Sequence, residues 1–396
     1  MLDDPILRRQ EGESFNRYHI RLYEKKNEYG LSREEIADLL NKEYGSNYDE
    51  SKWRKDYAAY VKWKDFIIAE NLNEDIVKKY EELKIEAEKE KVRQRDQKRE
   101  YRNLIRNSAR FEKIKDDIYE AILQLEKKKP LKFNNKNRSF EFSEERHGLA
   151  LFSDWHFGME VDNTINKYNK EVFNERVTKL ANKIITYGKF NKISTLHVAQ
   201  LGDLLSGMIH VSTRVQSNED IIEQIQYVSE TLAEILVKLA SEFNEIHFYN
   251  VIGNHGRIGK KDDVGIKENF EYLVPWYLEA RLKNIPNIKI VSDNDGYITT
   301  NIFDTKIVFV HGNFDRIDQS VTKLPQLLGY VPDMIIGGHI HHNYENEYGK
   351  TTVLTNGSLI GVDDFAMQGR HVAKPSQKFM VFDKEEGLES TYSIKL

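Results

Sequence analysis

The sequence predicts an α/β protein whose two sheets lie between layers of helices, preceded by an all-α N-terminal region. From residue 148 onward, short apolar segments alternate with amphipathic segments of helical periodicity, which is typical of sheets covered by helices. The first 130 residues instead contain charged, helix-forming segments with few glycines and prolines. A length of 396 residues is sufficient for two or three domains.

The N-terminal region, residues 1–65, is predicted to be a small helical domain. The run Ser32-Arg33-Glu34-Glu35 is a capping box, in which a serine and a glutamate side chain satisfy free N–H groups at a helix start. We therefore expect a helix from about residue 33 to 44. Gly45 should end it, because glycine readily adopts the left-handed conformation of a helix C-cap.

A second helix is predicted from Glu50 to Trp63. Its aromatic residues can pack, while its basic residues face solvent. A helix, a tight glycine-containing turn and a basic helix are typical of a helix-turn-helix that binds nucleic acid. An ordinary helical hairpin with a solvated basic face is an equal alternative. The candidate nucleic-acid contacts in this helix are Lys52 and Arg54.

Residues 66–130 are predicted to form a long charged helical arm. No glycine or proline interrupts residues 66–129, and apolar residues follow three-four spacing at both ends. Between Lys91 and Arg110 this spacing gives way to eight basic residues against two acidic ones. One interpretation is a helix that follows a phosphate backbone; the other is a solvated or coiled-coil face, which could pair two chains into a homodimer. The candidate phosphate contacts are Arg99, Arg102 and Arg106.

A linker and a C-terminal domain complete the predicted organisation. Pro130 ends the arm, because proline cannot continue a helix, and the polar residues 131–146 are predicted to be the linker. Residues 147–396 form the C-terminal domain. Two of its segments, Glu171–Tyr187 and Glu219–Phe243, have a continuous apolar face and should pack against the sheets.

Five predicted strands of the C-terminal domain end in residues that bind metal ions. Each apolar segment runs directly into aspartate, asparagine or histidine, and ligands bind at the carboxyl ends of strands in α/β sheets. Seven oxygen and nitrogen ligands without a thiolate suit two divalent ions, since four saturate a single structural zinc. Manganese is the favoured ion, with zinc, iron and nickel as alternatives. The candidate ligands are Asp154, His156, Asp203, Asn254, His311, His339 and His341.

Two divalent ions about 3.5–4 Å apart can activate a water and neutralise the attacking and leaving oxygens of a phosphoryl group. The ligand set therefore predicts phosphoester hydrolysis. In their order along the chain, these motifs resemble those of the calcineurin-like metallophosphoesterases. The motifs are Asp154-x-His156, Gly202-Asp203, Gly253-Asn254-His255, His311-Gly312 and Gly338-His339-x-His341.

The resemblance covers about residues 146–396 and implies a role for each motif residue. It implies a two-sheet metallophosphoesterase fold, with Asp203 bridging the two ions and His255 protonating the leaving group. One ion would then be held by Asp154, His156 and His341, and the other by Asn254, His311 and His339. Phage metallophosphoesterases and DNA-repair nucleases look most similar, the former through the runs Asp154-Trp155-His156-Phe157-Gly158 and Asn356-Gly357-Ser358-Leu359-Ile360-Gly361.

One departure from the family concerns the residues after His255. Many relatives have an acidic residue there, whereas this chain has Gly256-Arg257. Arg257 is therefore predicted to lie beside the scissile phosphate, where a planar guanidinium is a good partner. The loops at residues 206–214 and 257–261 are candidates for a phosphate-binding rim, with ordinary polar loops as the alternative. Histidines outside the motifs, among them His147, His197 and His247, are predicted to be structural or surface residues.

Composition sets further limits. A net charge of −5 does not exclude nucleic acid, because a basic face can lie on an acidic chain. The absence of cysteine excludes disulfides and thiolate metal sites. No apolar run approaches a membrane span, and the first residues lack the features of a signal peptide. The sequence therefore predicts a cytoplasmic protein without a membrane partner.

The function predicted from these observations is a two-metal phosphodiesterase, most specifically a DNA nuclease with a helical nucleic-acid-binding arm. Contact between the arm and nucleic acid is favoured because the chemistry of the C-terminal domain needs phosphodiesters. Two alternatives remain open. One is a phosphomonoesterase or nucleotide phosphodiesterase with a small or protein substrate, and the other is a DNA-binding or assembly protein with a secondary metal site.

Overall fold

The structure, a computed structural model, describes residues 4–71, 74–134, 142–209, 217–314, 316–370 and 372–396. The chain divides into two compact units, Met1–Ala109 and Arg110–Leu396. The predicted mixed α/β class with a helical N-terminal region is confirmed. The domain boundaries after residues 65, 130 and 146 stay predictions.

The first unit begins with four helices and has its own hydrophobic core, in which Leu22, Ile36 and Leu40 are fully buried. The predicted capping box is confirmed: Ser32 Oγ accepts the Glu35 N–H at 3.1 Å, and Glu35 Oε2 accepts the Ser32 N–H at 2.7 Å. The helices are α1 Phe15–Glu24, α2 Lys26–Tyr29, α3 Arg33–Tyr44 and α4 Glu50–Asn71, after a 3₁₀ turn at Pro5–Leu7.

Helix α4 differs from its prediction at one end. It runs past the expected end at Trp63 to Asn71, because no glycine or proline interrupts this stretch. Trp53 is buried, whereas Lys52 and Arg54 are exposed, as the sequence predicts.

The predicted arm is mainly a single helix, α5 Glu74–Lys127. The one helix expected over residues 66–129 is thus shared between α4 and α5, and residues 72–73 lie outside the described part of the chain. Ile114 and Ile118 pack against the core of the second unit. Tyr80 and Leu83, which belong to the apolar residues at three-four spacing near the other end of the arm, are exposed. Packing against a core therefore accounts for only part of this apolar spacing.

The second unit contains two large β-sheets and one two-stranded sheet. Its strands are β1 Ser143–Phe152, β2 Val161–Asp162, β3 Lys167–Tyr168, β4 Ile193–Leu201, β5 Glu245–Val251, β6 Ile288–Ser292, β7 Tyr297–Ile302, β8 Thr305–Val310, β9 Met334–Gly337, β10 Tyr344–Tyr348, β11 Thr351–Thr355, β12 Ser376–Asp383 and β13 Gly387–Lys395. β1 begins at Ser143, inside the predicted linker, because Ser143 already pairs with Ile193 of β4.

The first large sheet has the strand order β13-β12-β1-β4-β5-β6. Strands β1, β4, β5 and β6 are parallel to one another, whereas β12 is antiparallel to both of its neighbours, β1 and β13. The second sheet has the order β10-β11-β9-β8-β7, with β11, β9 and β8 parallel. The strands that precede the candidate ligands are therefore parallel neighbours within each sheet: β1, β4 and β5 in the first sheet, and β8 and β9 in the second.

The five remaining described helices belong to the second unit. They are α6 Lys170–Phe190, α7 Ile221–Ala240, α8 Leu273–Arg281, α9 Ser320–Leu328 and α10 Asp364–Gly369. The apolar faces of α6 and α7 pack in one cluster with the first sheet, which confirms the two predicted core helices. Leu324 of α9 packs with Val308 and Ile335 of the second sheet.

The two large sheets share a hydrophobic cluster. Leu149 and Leu151 of the first sheet belong to the same buried cluster as Phe309 and Ile336 of the second. This cluster joins the sheets beneath the ends of β1, β4, β8 and β9. In the described part of the chain, no helix combines the length and the apolarity needed to cross a membrane.

Candidate metal centre

The candidate ligands follow the carboxyl ends of five strands, β1, β4 and β5 of the first sheet and β8 and β9 of the second. Parallel neighbours end at the same edge of a sheet, so their loops lie together. Five of the ligands have positive φ, a backbone conformation that costs about 1–3 kcal/mol in a residue other than glycine and is concentrated at functional sites. They are Asp154, His156, Asp203, His339 and His341, with φ of 47–70°.

Asp154, His156 and His341 form the first group of candidate ligands, with ligand atoms within 4.8 Å of one another. His156 Nε2 lies 3.0 Å from His341 Nε2, which lies 3.5 Å from Asp154 Oδ1. Burial is the main cause that lowers the pKa of both histidines, that of His341 to about 3. Both imidazoles are therefore neutral at pH 7, the form that binds metal ions.

Asp203, His311 and His339 form the second group. Asp203 Oδ2 and Asn254 Oδ1 each lie 3.1 Å from His311 Nε2. His311 Nδ1 donates to the Leu201 carbonyl oxygen at 2.7 Å. This contact turns Nε2 toward Asp203, as second-layer hydrogen bonds do for metal-binding histidines.

Asp203 lies between the two groups, because its Oδ2 is also 4.0 Å from His156 Nε2. Burial by itself would raise the pKa of Asp203, but the positive charges of His311 and His255 outweigh it and hold that pKa well below its usual value. Burial by itself would lower the pKa of His311, but the negative charge of Asp203 outweighs it and raises that pKa to about 9. The two side chains thus form an ion pair, in which a bound cation would replace the histidine proton.

The residues of both groups fit divalent ions. Imidazole nitrogens with carboxylate and amide oxygens suit Mn, Zn, Fe and Ni, and no thiolate is present. The Nε2 atoms of His156 and His341 are 3.0 Å apart. If both imidazoles are neutral, one Nε2 can donate a hydrogen bond to the lone pair of the other, and no second hydrogen bond can form between them. A cation that accepts both lone pairs accounts for this approach better than a single hydrogen bond does.

His255 lies beside both groups and is oriented by backbone. The ring Nδ1 of His255 is 2.9 Å from the Ser206 carbonyl oxygen, and the backbone N–H of His255 donates to Asp203 Oδ1 at 2.8 Å. Its ring falls in a further cluster with His156 and Asp203. The carbonyl of Ser206 therefore fixes His255, although no acidic residue follows the Asn-His pair.

The missing acidic residue has a structural explanation. A Cβ atom at Gly256 would lie 2.1 Å from Asn269 Oδ1 and 2.8 Å from Glu271 Cγ, so no side chain fits there. Glu271 is fully buried and accepts the N–H groups of Leu204 and Gly253, each at 2.6 Å. Burial, with the charge of Asp203, raises the pKa of Glu271 to about 7.

Glu271 is a supporting residue that the sequence did not reveal. It links the loop that carries Asp203 to the loop that carries Asn254. It lies in a short 3₁₀ helix, Phe270–Tyr272, where a mainly polar stretch gives way to aromatic and apolar residues. No sequence pattern there distinguishes a buried glutamate from a surface one.

The run Asn356–Gly361 supports the other end of the site. Asn356 Nδ2 donates to Ser153 Oγ at 3.0 Å, and the Leu359 N–H donates to the Asp154 carbonyl oxygen at 3.1 Å. Gln377 accepts the Ser153 N–H at 2.9 Å. These contacts hold the turn on which Asp154 projects from β1.

Arg257 lies next to the second group. Its Nε donates to the Asn254 carbonyl oxygen at 3.0 Å. Burial first, and then the positive charges of His311, His255 and Arg257, lower the pKa of His339 to about 4. Of the predicted phosphate-binding rim, Lys260 and Lys261 are exposed, whereas residues 210–216 lie outside the described residues.

The predicted nucleic-acid contacts belong to the first unit and the metal groups to the second. Arg99, Arg102 and Arg106 are exposed on α5, and no ion pair is found for them within the described ranges. Lys52 pairs with Asp56, and Arg54 pairs with Glu50 at 3.2 Å. The charges of α4 are thus partly neutralised locally, whereas those of the three arginines on α5 are not.

Three histidines outside the motifs form a separate cluster in the first sheet. His147 Nδ1 lies 3.2 Å from His197 Nε2, and His197 Nδ1 lies 3.0 Å from the Tyr249 hydroxyl. The rings of His197 and His247 have their centroids 4.9 Å apart. These packing contacts agree with the structural role predicted for them.

Comparison with known proteins relates the chain to a prophage protein. A family model described as the YonJ N-terminal domain matches residues 3–72. The SPbeta prophage-derived uncharacterized protein YonJ of Bacillus subtilis (strain 168) is 22% identical over 399 residues, which cover 98% of this chain and 98% of that protein. The similarity therefore extends over both units.

Solved structures show weaker likenesses. A novel archaeal phosphodiesterase is 17% identical, with 63% of this chain and 99% of that chain covered and a TM-score of 0.33. Vacuolar protein sorting 29 from Cryptosporidium parvum is 16% identical, with 64% and 100% covered and a TM-score of 0.32. A predicted phosphoesterase from Streptococcus pneumoniae TIGR4 is 12% identical, with 63% and 99% covered and a TM-score of 0.26. TM-scores this low do not establish a shared fold.

Proposed function

We propose that this chain is a two-metal-dependent phosphodiester hydrolase and that its substrate is nucleic acid, specifically DNA. The observation that carries the proposal is the position of Asp203, whose carboxylate lies 3.1 Å from His311 Nε2 in one ligand group and 4.0 Å from His156 Nε2 in the other. A carboxylate between two groups of neutral or paired ligands is suited to bridge two ions. The proposed family is that of the calcineurin-like metallophosphoesterases, with their two-sheet sandwich.

The protein residues have separate roles in the proposed reaction. Bound divalent ions would polarise a water and neutralise charge on the phosphoryl oxygens. His255 holds a proton at Nδ1 for the Ser206 carbonyl oxygen, 2.9 Å away, which directs Nε2 away from that carbonyl. Nε2 is therefore the atom that would give a proton to the leaving oxygen.

Arg257 is the proposed partner of the phosphate. Its backbone and Nε are held by the Asn254 carbonyl oxygen, which places the guanidinium at the loop of a candidate ligand. A guanidinium binds two phosphate oxygens through parallel hydrogen bonds and stays charged at all working pH values. It would orient the diester while His255 serves the leaving group.

Three exposed arginines on α5 support nucleic acid as the substrate. Arg99, Arg102 and Arg106 recur at intervals of three and four residues, so they share one side of the helix. Phosphate backbones are bound by such arrays of uncompensated basic side chains. The prophage origin of the Bacillus subtilis relative agrees with a phage enzyme.

A metal-dependent activity screen tests the proposal. The full chain, freed of metal by a chelator, is supplied in turn with Mn, Zn, Fe or Ni. Substrates are plasmid DNA, single- and double-stranded DNA and RNA oligonucleotides, bis(p-nitrophenyl) phosphate and p-nitrophenyl phosphate. We expect metal-dependent cleavage of DNA and of the diester. Hydrolysis of the monoester alone would favour a phosphomonoesterase, and no hydrolysis with any ion would favour a binding or assembly protein.

A further inference from the structure

A pocket of about 750 Å³ opens beside the second ligand group. It begins at His339, whose ligand atom lies within 4.8 Å of those of Asp203 and His311. Gly312, directly after His311, also lines it. A phosphate bound at the metal centre would therefore have one ester substituent at the mouth of this pocket.

The pocket exposes apolar and aromatic side chains next to a polar centre. Phe314 is 42% exposed and Ile340, between two candidate ligands, is 39% exposed. Tyr344 and Tyr348 line the pocket from β10, and their hydroxyls lie 2.8 Å apart. Large apolar side chains left in solvent beside a reactive site are typical of a surface that receives a ligand.

Phe314 is held in place by a glycine. A Cβ atom on Gly296 would lie 2.6 Å from Phe314 Cε2, so the ring packs directly against the Gly296 backbone. Gly296 has a φ of 82°, which a residue with a side chain rarely adopts. The ring is thus supported on the Gly296 side while much of its surface stays open to the pocket, as a stacking platform requires.

Several polar side chains also line the pocket, and two of them form an ion pair with each other. Arg316 donates to Asp318 through Nε and a terminal nitrogen, at 3.2 and 3.0 Å. Lys261 Nζ lies 6.0 Å from the Phe314 ring centroid, at the outer limit of a cation–π contact. The exposed ring of Phe314 is the feature of this lining that a flat ligand can use by stacking.

We propose that this pocket binds the nucleobase of the nucleotide whose phosphate lies at the metal centre, with Phe314 as the stacking surface. The inference rests on the proposed phosphodiesterase function and adds a base-binding subsite to it. Every base has a flat face, so stacking tolerates all sequences. The expected consequence is a preference for nucleoside phosphates over phosphates that lack a base, with little preference among bases.

Equilibrium binding tests the subsite without turnover. Calorimetry on the full chain with Mn compares thymidine 5′-monophosphate with 2-deoxyribose 5-phosphate, which has the same phosphate and no base. We expect the nucleotide to bind about tenfold more tightly, as loss of one stacking ring typically weakens base binding by that order. Phe314→Leu, which keeps an apolar side chain against Gly296 but removes the aromatic face, should abolish the difference, and Phe314→Tyr should restore it.

A matched control and a hydrolysis assay separate this proposal from the proposed function. Phe190→Leu replaces a phenylalanine that is 79% exposed on α6 and should leave the binding difference intact. Hydrolysis of methyl p-nitrophenyl phosphate tests the phosphodiesterase alone, and thymidine 5′-(p-nitrophenyl phosphate) adds the base. Metal-dependent hydrolysis with equal kcat/KM for both esters would overturn the base subsite and leave the phosphodiesterase standing. Tight nucleotide binding that needs Phe314, without hydrolysis of either ester, would support the base subsite and overturn the phosphodiesterase function.

Discussion

His255 Nδ1 lies 2.9 Å from the carbonyl oxygen of Ser206. A carbonyl oxygen only accepts, so Nδ1 carries a proton and the ring has one fixed orientation. If Nε2 protonates the leaving group as proposed, His255→Ala should lower kcat strongly on esters of poor leaving groups and far less on p-nitrophenyl esters, which need no protonation. Metal content, measured by atomic emission, should stay at the parental level. Loss of metal from the variant would instead identify His255 as a ligand.

Asp203 is the residue whose loss should affect both ligand groups together. Asp203→Asn keeps the side-chain size but removes the charge that His311 pairs with at 3.1 Å. We expect activity to collapse, because a bridging ligand contributes to both ions, while far-UV circular dichroism is unchanged. Metal titration should show both binding steps weakened. Near-normal turnover with added Mn would contradict the bridging role.

Glu271 should matter for stability because its carboxylate accepts buried N–H groups of two ligand loops. Glu271→Gln retains the shape but replaces one acceptor oxygen with a donor, which leaves a buried N–H without a partner. The expected cost is about 1–3 kcal/mol in the free energy of unfolding, measured by urea denaturation. Glu279→Gln, at an exposed position of α8, is the matched control and should be neutral. Equal stability of both variants would show that Glu271 does not hold the loops.

The sequence indicated the side chains that the structure brings together, but not the residues that support them. Asp154, Asp203 and His311 could be found because each follows a short apolar run typical of a buried strand, so the predicted end of the strand is visible in the residues themselves. Glu271 and the Ser206 carbonyl could not be found, since their roles arise from contacts between distant loops.

The pocket beside His339 was also beyond sequence analysis. Phe314 follows a ligand motif by only a few residues, but nothing in its neighbours shows that the ring stays exposed. Its position depends on Gly296, which lies in the turn before β7. Such a contact joins two segments that no sequence motif connects.

His147 and His197 should make the stability of the second unit depend on pH. Burial, and then the charge of His247, lowers the pKa of His147 to about 4 from an unperturbed 6.5, and similar causes lower that of His197. The unfolded chain therefore binds more protons than the folded one in this window. The contribution of these histidines to the free energy of unfolding is fully present above pH 6.5. It is lost as pH decreases toward 4, by up to about 1.4 kcal/mol per pH unit for each histidine.

Urea denaturation of the parent and of His147→Asn between pH 7.5 and 4.5 tests this dependence. The asparagine can still donate toward His197 Nε2 but does not titrate. We expect the variant to lose stability less steeply, by the equivalent of about one proton. Parallel curves for the two proteins would show that acid sensitivity arises elsewhere.

The last prediction concerns α5, on which the choice of nucleic acid as substrate most depends. If Arg99, Arg102 and Arg106 contact phosphates, each contact releases counterions, and the logarithm of the DNA binding constant should fall with the logarithm of salt concentration by about 0.7–0.9 per contact. Replacing all three with glutamine should flatten this slope by about 2–3 and weaken binding at low salt.

The matched control is Lys78, Lys84 and Lys89 replaced by glutamine, three exposed cations of the same helix among the glutamates that precede the basic segment. This variant removes the same charge and should keep the parental slope. Hydrolysis of bis(p-nitrophenyl) phosphate reports on the metal centre in both variants, because the substituted residues belong to the other unit. If the two triple variants have equal DNA affinity and equal salt slopes, the basic segment is a solvated helix face, and a small or protein phosphoester becomes the better substrate hypothesis.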